Sequence, residues 1–485
     1  MTFDLETKSL DMIEIYDAEA FRAKGYKIID ILADYLKKAA SNKITQVLPP
    51  LSPDEMLGKW QDKFPENPSN NLEEILKKVI NLSNHLHSPQ YIGHQVSSPV
   101  PNAALADIVS SLLNNGTAIY EMGSVSTILE KRIIQWMAGL IGYDNSSDGF
   151  LTSGGTLGNL TALLAARQAK SSYDIWTEGV KEQESLAFLV SAQTHYSAKR
   201  AIQVMGLGEK AVIPVETNEN YQMTVPAIQE AYDSAVKSGK KVIAIVANAC
   251  STATVSYDPL EEIAEFCKKH DLWLHVDGAH GASALISDKY KDLLKGIEQA
   301  DSVVWDAHKM MLMPALITAV IFKNSKASYE AFSQKASYLF EKEAHEEWYN
   351  LAQRTMECTK NMMGLKLYLS LMTYGTKFFG DYITKMYDLT KKCADIIKNS
   401  PDFELAIEPQ SNIICFRYIN NDSRDTNELQ KQIRKDILKK ATFYIVQTQL
   451  KDKIYLRCTI INPLTTEQHF KDLMQEVRDI LKLSL

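Results

Sequence analysis

The sequence has no excess of positive charge and no hydrophobic run long enough to cross a membrane. Its 485 residues carry 53 Lys and Arg against 60 Asp and Glu, a formal net charge of -7, which offers no general attraction to nucleic acid. The longest apolar stretch, 311–322, is interrupted by Pro314 and Thr318 and is shorter than the roughly 20 residues that span a bilayer. We therefore expect neither nucleic-acid binding nor membrane insertion.

Cysteine pairs and a secretory signal are also missing. The six cysteines are scattered and form no Cys-x-x-Cys motif, so neither a disulfide framework nor a metal site is predicted. The first residues lack the basic start and apolar core of a signal peptide, which predicts a cytoplasmic protein. We find no internal repeat and no low-complexity tract.

The central part of the chain alternates short apolar runs with helical patterns. Strands are predicted at 186–190, 242–246, 272–276, 303–305 and 316–322. Fully apolar strands separated by helices indicate a largely parallel sheet that is covered on both faces. Residues 20–80 are helix-rich, and 354–398 is predicted to be helical. After it, strands at 413–416, 443–446 and 454–457 indicate a small α+β unit.

Lys309 and Asp277 are the most informative residues, because each follows directly on one of these apolar runs. Taken alone, such a lysine is usually a surface residue and such an aspartate is usually a turn or capping residue. Together, an amine and an acid at the ends of neighbouring strands suit a pyridoxal 5'-phosphate (PLP) site. There the lysine binds the cofactor covalently and the acid keeps its ring nitrogen protonated.

A third element agrees with this interpretation. The sequence Ser-Gly-Gly-Thr at 153–156 leads straight into an Ala/Leu-rich helical pattern. The free backbone amides and the positive end of such a helix bind phosphate. In isolation, an ordinary capped turn explains this segment equally simply.

These motifs, in this order, resemble the group II PLP-dependent amino-acid decarboxylases, which include glutamate, cysteine-sulfinate and aromatic-amino-acid decarboxylases. The resemblance runs from about Phe21 to Pro463. Besides the segments above, its motifs are His-Ser-Pro-Gln-Tyr-Ile-Gly-His-Gln at 87–95, His-Tyr-Ser-Ala-Lys-Arg at 195–200, His-Val-Asp-Gly-Ala-His-Gly at 275–281 and Asp-Ala-His-Lys at 306–309. The segments 336–340 and 356–358 look most like the glutamate and cysteine-sulfinate branch.

The resemblance implies a fold and an assembly. The fold is α/β of the PLP-dependent transferase type (aspartate aminotransferase-like, fold type I), with a large domain built on a mainly parallel sheet. The expected division is an N-terminal helical arm for dimerisation at 1–98, a PLP-binding large domain at 99–375 and a small C-terminal α+β domain at 376–485. A homodimer with active sites at its interface is implied as well.

The resemblance also assigns residue roles. Lys309 would hold PLP, Asp277 would pair with the ring nitrogen, and His195 would stack on the ring. Phosphate contacts are implied for Gly155, Thr156 and His308, a place beneath the ring for Ala279, and a contact with the phenolic oxygen for Thr252. This last contact departs from the family, since Cys250-Ser251-Thr252 stands where Gly-Thr-Thr is common. Arg457 matches the arginine that binds a substrate carboxylate, and Tyr349 matches the mobile-loop tyrosine that acts as general acid.

The expected reaction is decarboxylation of an L-amino acid to an amine and carbon dioxide. An acidic substrate (glutamate, aspartate or cysteine sulfinate) is slightly favoured, with aromatic amino acids and diaminobutyrate as alternatives. Gly93-His94 stands where the glutamate-like branch has Asn-Gln, which places His94 at the substrate and suggests a roomier pocket. Ala118 replaces a bulky aromatic. The alternatives of other classes are a PLP carbon-carbon lyase, an aminotransferase and a non-catalytic PLP-binding protein.

Overall fold

The computed structural model describes residues 15–67, 71–181, 183–332, 347–419 and 425–483. Its central sheet has seven strands in the order β1-β7-β6-β5-β4-β2-β3. These strands are β1 (Asp148–Thr152), β2 (Leu186–Ser191), β3 (Val212–Val215), β4 (Lys241–Asn248), β5 (Trp273–Asp277), β6 (Ser302–Asp306) and β7 (Thr318–Phe322). Among the described strands of this sheet, β7 alone runs antiparallel to its neighbours, which confirms the mainly parallel sheet.

The sheet is covered on both faces, as its fully apolar strands require. Every residue of β2, β5, β6 and β7 is buried. Successive residues of one strand pack into different hydrophobic clusters, Val303 into one and Val304 into the other, because side chains alternate between the faces of a strand.

Helices cover the two faces of the sheet and also precede and follow its strands along the chain. They are α1 (Ala18–Ala40), α2 (Pro53–Leu57), α3 (Leu72–Asn81), α4 (Pro101–Leu113), α5 (Ser124–Ile141), α6 (Gly155–Lys170), α7 (Ile175–Glu178), α8 (Tyr196–Val204), α9 (Val225–Lys237), α10 (Leu260–His270), α11 (Lys326–Phe332), α12 (Gly364–Tyr374), α13 (Thr376–Lys398), α14 (Thr426–Lys440) and α15 (Glu467–Leu483). Within the described residues, none of these helices is both long and apolar enough to span a bilayer.

The parallel strands end together at one edge of the sheet. There β4 ends at Asn248, β5 at Asp277 and β6 at Asp306, and neighbouring registers place Asn248 opposite Asp277. Helix α6 starts at the same edge, after β1. This edge therefore gathers polar side chains from segments that lie far apart in sequence.

The C-terminal unit has the predicted α+β character. Its antiparallel sheet has the order β10-β11-β9-β8, from β8 (Phe403–Leu405), β9 (Ile413–Tyr418), β10 (Val446–Leu450) and β11 (Lys453–Thr459). The chain after α3 is joined to this unit, since Ile92 N–H donates to the Tyr444 carbonyl at 3.1 Å and Thr459 N–H donates to the Ile92 carbonyl at 2.7 Å. The division at 98/99 and 375/376 stays a prediction.

Three predicted boundaries are wrong. The strand expected at 443–446 begins only at Val446, because Tyr444 instead forms an isolated bridge with Tyr91. The strand expected from 316 begins at Thr318, where pairing with Asp306 starts. The helix expected from 354 begins at Gly364, because buried polar contacts hold the preceding segment against β1.

Candidate active site

A cleft of about 310 Å³ opens at the polar edge of the sheet. It is lined by all eight residues that the resemblance assigns to the cofactor: Lys309, Asp277, His195, Gly155, Thr156, Ala279, Thr252 and His308. The structure therefore brings these residues together, although they come from five separate segments of the chain.

Lys309 lies just beyond β6, on the turn that leads towards β7. Its Nζ is 2.9 Å from Asp306 Oδ2, and Asp306 is buried. Burial opposes the charge of this amine, but the carboxylates of Asp306 and Asp277 outweigh burial and raise the pKa of Lys309 above its ordinary value. Asp306 also accepts a hydrogen bond from Thr318 Oγ1 at 2.5 Å, so the carboxylate is held towards the lysine.

Asp277 is the last residue of β5 and is buried. Its Oδ2 accepts a hydrogen bond from Asn159 Nδ2 at 2.8 Å, and its Oδ1 accepts one from the Ala279 N–H at 3.2 Å. Each of its two oxygens is therefore held by an N–H donor at the edge of the cleft.

His195 caps the start of α8 and is held by its own helix. Its Nδ1 accepts the Ser197 N–H at 3.3 Å and lies 2.8 Å from Ser197 Oγ. Burial lowers the pKa of His195 below its ordinary value, although the nearby Asp277 carboxylate opposes this. The imidazole is therefore neutral at pH 7, with its Nε2 side left for the cleft.

The start of α6 has the features of a phosphate site. Gly154, the residue before the helix, has φ +120° and no side chain caps the first turn, so the amides of Gly155 and Thr156 lack a capping acceptor. A Cβ at Gly155 would lie 3.2 Å from Asp306 Oδ1, which is tighter than ordinary contact. His308 closes this side of the cleft, with Nδ1 2.9 Å from the Ile317 carbonyl.

Two buried polar atoms in the cleft lining have no hydrogen-bond partner among the described residues. They are Asn248 Nδ2 and His280 Nδ1, each on a side chain that is 2 % exposed. Buried polar groups without partners are costly and uncommon, and both residues border the space between Lys309 and Asp277. Such orphaned atoms, an open helix end and a buried amine fit a polar, phosphorylated cofactor.

Arg457 lies on β11 and is only 6 % exposed. Its guanidinium donates from Nη2 to the Thr252 carbonyl at 2.6 Å and from Nε to the Ala253 carbonyl at 3.2 Å. Burial lowers the pKa of Arg457, and none of the described residues forms an ion pair with it. Its carbonyl partners belong to the segment that carries Thr252 into the cleft, so Arg457 stands directly behind the cleft wall.

His94 lies near Arg457 but outside the cleft lining of one chain. Burial, then Arg457 and Arg434, lower the pKa of His94, and its ring lies 5.6 Å from the ring of Tyr444. The roomier pocket expected from Gly93 is not present at this position. A Cβ at Gly93 would lie 2.4 Å from the Tyr444 ring, so that ring occupies the space that the glycine leaves.

Tyr349 does not reach Lys309 within one chain. Its ring makes an edge contact with Tyr120 at 5.6 Å, and Asn350 accepts the Tyr120 N–H at 3.0 Å. Buried Glu347 accepts hydrogen bonds from Asn350 at 2.8 Å and Gln353 at 3.1 Å. The tyrosine thus sits on an ordered base, away from the cleft of its own chain.

The two branch-specific segments have different outcomes. Residues 336–340 lie outside the described part of the chain. In the segment 356–358, Glu357 accepts the Ser153 hydroxyl at 2.8 Å, which places this segment beside the start of α6.

The sequence assigned no role to several polar residues of the cleft, among them Asn159, Asn248, His280 and Asp306. Asp306 and His280 stood inside quoted motifs without a role. Asn159 follows the Ser-Gly-Gly-Thr segment by one helical turn, and that spacing is the signal that could have found it.

Comparisons with known proteins agree with this site. Residues 53–419 match the pyridoxal-dependent decarboxylase conserved domain, so the chain belongs to this family. It is a PLP-dependent amino-acid decarboxylase, a carboxy-lyase with the fold type I architecture.

Relatives differ in the substrate that their names state. The chain is 30% identical over 471 residues to an aromatic-L-amino-acid decarboxylase of Bacillus atrophaeus, covering 95% of each chain. It is 28% identical to the acidic amino acid decarboxylase GADL1 of Homo sapiens, covering 84% of this chain and 81% of that protein. A solved structure, the glutamate decarboxylase domain of a diaminobutyrate-pyruvate transaminase and L-2,4-diaminobutyrate decarboxylase from Vibrio parahaemolyticus, is 25% identical, with TM-score 0.82 over 94% of this chain and 96% of that chain.

Proposed function

We propose that this enzyme decarboxylates an acidic L-amino acid, such as glutamate, aspartate or cysteine sulfinate. The observation that supports this is Arg457, a buried guanidinium behind the cleft wall for which the described residues supply no acidic partner. A buried charge without a counter-ion is costly, and a substrate carboxylate is shaped for a planar guanidinium.

A second positive group, Arg434, stands close by. Arg457 and Arg434 are both near enough to His94 to lower the pKa of its imidazole. One carboxylate of the substrate then meets Arg457, and a second acidic group meets the region of His94. This pairing favours an acidic side chain over a neutral one.

The residues of the cofactor half have separate tasks. Lys309 holds the cofactor covalently, Asp277 pairs with its ring nitrogen, and Gly155, Thr156 and His308 bind its phosphate. When bound, PLP supplies an electron sink for the pair left by the broken bond to Cα. His195, whose Nδ1 is engaged by Ser197, would contact the bound cofactor from the cleft wall and keep its Nε2 for the substrate.

Smaller contacts complete the cofactor half. Ala279 and Thr252 line the same cleft; the small side chain of Ala279 would leave room for the cofactor, and the hydroxyl of Thr252 would be available to hydrogen-bond it. Orientation decides which bond breaks, and Arg457 holds the substrate carboxylate so that it can leave as carbon dioxide.

Tyr349 returns a proton to Cα. The structure keeps it outside the cleft of its own chain, on the base formed by Tyr120 and Glu347. We place it in the active site of a second copy, where it closes over the substrate and excludes water.

A homodimer follows from an exposed apolar surface, here called the apolar face. It consists of Leu105, Ile108, Val109, Leu112, Leu113, Met122 and Val125, which are 44 to 68 % exposed. Exposed apolar patches of this kind are typical of protein–protein interfaces. Leu316, which lines the cleft, is also 50 % exposed, so the mouth of the cleft offers an apolar side chain to a second copy as well.

The dimer is tested by sedimentation velocity of a matched pair of variants. Val109→Glu places a charge on the apolar face, whereas Val236→Glu changes an equally exposed valine on α9, each being 48 % exposed. We expect the first variant to sediment as a monomer and the second as a dimer. A dimer that persists in Val109→Glu would move the interface elsewhere.

The substrate is tested by incubating the PLP-loaded enzyme with separate amino acids and measuring carbon dioxide together with the amine by mass spectrometry. The panel includes glutamate, aspartate, cysteine sulfinate, diaminobutyrate, tryptophan and tyrosine, with Lys309→Ala as the blank. We expect the strongest signal from an acidic substrate. A dominant amine from tryptophan or tyrosine would replace the acidic proposal.

An aromatic substrate is the second candidate. The Tyr444 ring, stacked on Tyr91 at 4.8 Å, offers an aromatic surface beside His94. The relative at 30% identity is named for aromatic amino acids. The same panel separates the two candidates.

A further inference from the structure

Asn159 makes three hydrogen bonds in the buried layer behind the cleft. Its Nδ2 donates to Asp277 Oδ2 at 2.8 Å and to Ser197 Oγ at 2.9 Å. Its Oδ1 lies 3.0 Å from His275 Nε2. The side chain is 1 % exposed, so its amide is a branch point inside the protein.

The chain of contacts continues away from the cleft. His275 Nδ1 lies 2.9 Å from Ser302 Oγ, and Ser302 Oγ accepts the indole N–H of Trp273 at 2.9 Å. An indole N–H can only donate. All three side chains are buried, so water does not compete for these bonds.

One assignment of protons satisfies the whole chain. An ionised Asp277 can only accept, so Asn159 must direct Nδ2 towards it and Oδ1 towards His275. His275 then carries its proton on Nε2 and accepts at Nδ1 from Ser302, whose oxygen accepts from Trp273. The indole at one end can only donate and the carboxylate at the other end can only accept. Both ends therefore fix the same donor-to-acceptor direction along the chain of hydrogen bonds.

The other branch reaches His195. Ser197 Oγ accepts from Asn159, so its single proton is left for His195 Nδ1 at 2.8 Å. That nitrogen also accepts the Ser197 N–H. His195 therefore carries its proton on Nε2, the nitrogen that is left for the cleft.

Both histidines are neutral at pH 7, as the assignment requires. Burial lowers the pKa of His275 to about 4, and burial also lowers the pKa of His195. A neutral imidazole needs one donor and one acceptor neighbour, and Ser302 and Asn159 supply these two for His275.

We propose that Asn159 is a positioning residue that fixes the carboxylate of Asp277 and, through Ser197, the tautomer of His195. Trp273, Ser302 and His275 in turn set the orientation of its amide. This relay rests on the proposed cofactor site, because Asp277 and His195 act on the cofactor there. An indole on the far side of the layer thereby helps to orient the groups presented at the cleft.

The first test is the affinity of the cofactor-free protein for PLP, measured by absorbance titration at pH 7. Asn159→Leu keeps the volume and removes both donors, so we expect the dissociation constant to rise at least ~10-fold. Asn159→Asp sets a carboxylate against Asp277, so its affinity should recover as the pH falls and the pair gains a shared proton. An Asn159→Leu dissociation constant within about twofold of wild type would overturn the relay.

A parallel titration of Lys309→Ala distinguishes a failure of the proposed cofactor site from a failure of the relay. If Lys309→Ala still binds PLP covalently, the proposed site itself is wrong. If Lys309→Ala loses the covalent form while Asn159→Leu binds normally, only the relay is wrong.

The second test reads proton positions directly by ¹⁵N NMR of histidine-labelled protein. In Asn159→Leu we expect the His195 signals to move from a single Nε2–H form towards a mixture, which a loss of packing alone would not cause. Unchanged His195 signals would overturn the branch of the relay that runs from Asn159 through Ser197 to His195.

The branch that runs from Trp273 through Ser302 and His275 to Asn159 can be tested with a matched control. Trp273→Phe and Trp305→Phe each remove a buried indole bond to a serine hydroxyl, Ser302 at 2.9 Å and Ser283 at 2.8 Å. We expect only Trp273→Phe to shift the His275 signals. Identical spectra from the two variants would remove Trp273 from the relay.

Discussion

The residues proposed for the cofactor and those proposed for the substrate, the cofactor half and the substrate half, are held in different ways. The cofactor half consists of residues at strand ends and at a helix start around one edge of the sheet, tied to each other by buried hydrogen bonds. The substrate half consists of Arg457 on β11, His94 after α3 and Tyr349 on a segment that packs on Tyr120. One half is complete within the chain, and the other is assembled from separate parts.

This difference explains why relatives share a cofactor but are named for different substrates. Lys309 and Asp277 follow strands whose register fixes their positions, so a change there disturbs the sheet. Arg457, His94 and Tyr349 lie on three elements that can change independently. Breaking each half in turn shows whether this contrast holds.

The largest effect is expected from Lys309→Ala in the cofactor half. It removes the only amine that lines the cleft among the described residues, so covalent binding and activity should fall to background. The check is the absorbance band of bound PLP together with trapping by borohydride. A trapped adduct in the variant would assign the covalent bond to another lysine.

Asp277→Ala should lower kcat by on the order of 10²–10³-fold, because the ring nitrogen loses its charged partner. Some PLP should remain bound through Lys309 and the start of α6. Turnover and bound PLP are measured on the same samples. Near-normal turnover would show that Asp277 has no part in the electron sink.

Tyr349→Phe breaks the substrate half and should slow turnover about 100-fold, with more product from misplaced protonation. Mixing it with Lys309→Ala tests the assignment to a second copy. If Tyr349 acts across the dimer, mixed dimers combine an intact lysine with an intact tyrosine and regain activity. Mixtures that stay as slow as their parents would place Tyr349 in its own cleft.

Arg457→Gln should raise KM by about 30-fold, roughly 2 kcal/mol, because a buried charge pair with the substrate is lost. PLP binding should be unchanged. Arg417→Gln is the control, since Arg417 pairs with Glu404 at 2.8 Å on the same small sheet. A KM that responds equally to both changes would indicate a general loss of packing.

The smallest effect is on stability at acid pH. Burial lowers the pKa of His275 to about 4 and that of His280 to about 3, below the ordinary value near 6.5. As the pH falls, these histidines bind protons in the unfolded chain but stay neutral in the folded protein. Part of the free energy of unfolding that is present at pH 7 is therefore lost. Each histidine should account for about 1 kcal/mol between pH 7 and 5.5.

Urea unfolding of the cofactor-free protein at the two pH values measures this loss. His280→Gln removes one of the two groups and should reduce the loss by about 1 kcal/mol. The same pH dependence in wild type and His280→Gln would mean that His280 is protonated in the folded state.

Much of the cofactor half was predictable because its signals are local. An apolar run followed by Asp277, a second one followed by Lys309, and glycines before a helical pattern each sit within a few residues. Asn159 was missed, since its bond to Asp277 joins residues 118 positions apart. Nothing near Asn159 in sequence indicates that β5 packs under α6.

The substrate half was less predictable for the same reason. Gly93 suggested free space, but the space is filled by Tyr444, which only the packing of the C-terminal unit brings there. Tyr349 was assigned by resemblance alone, yet its ring contacts Tyr120 and the neighbouring Asn350 bonds to Glu347.

The sequence by itself determined the strands, the helix start proposed for the phosphate, and the lysine and aspartate proposed for the cofactor chemistry. These depend on side-chain periodicity and on groups adjacent along the chain. The tertiary structure decided which polar groups pair behind Asp277, what fills the space beside Gly93, and that Tyr349 lies apart from Lys309. Those outcomes depend on distances between segments far apart in sequence, which are set only when the sheet and its helices pack together.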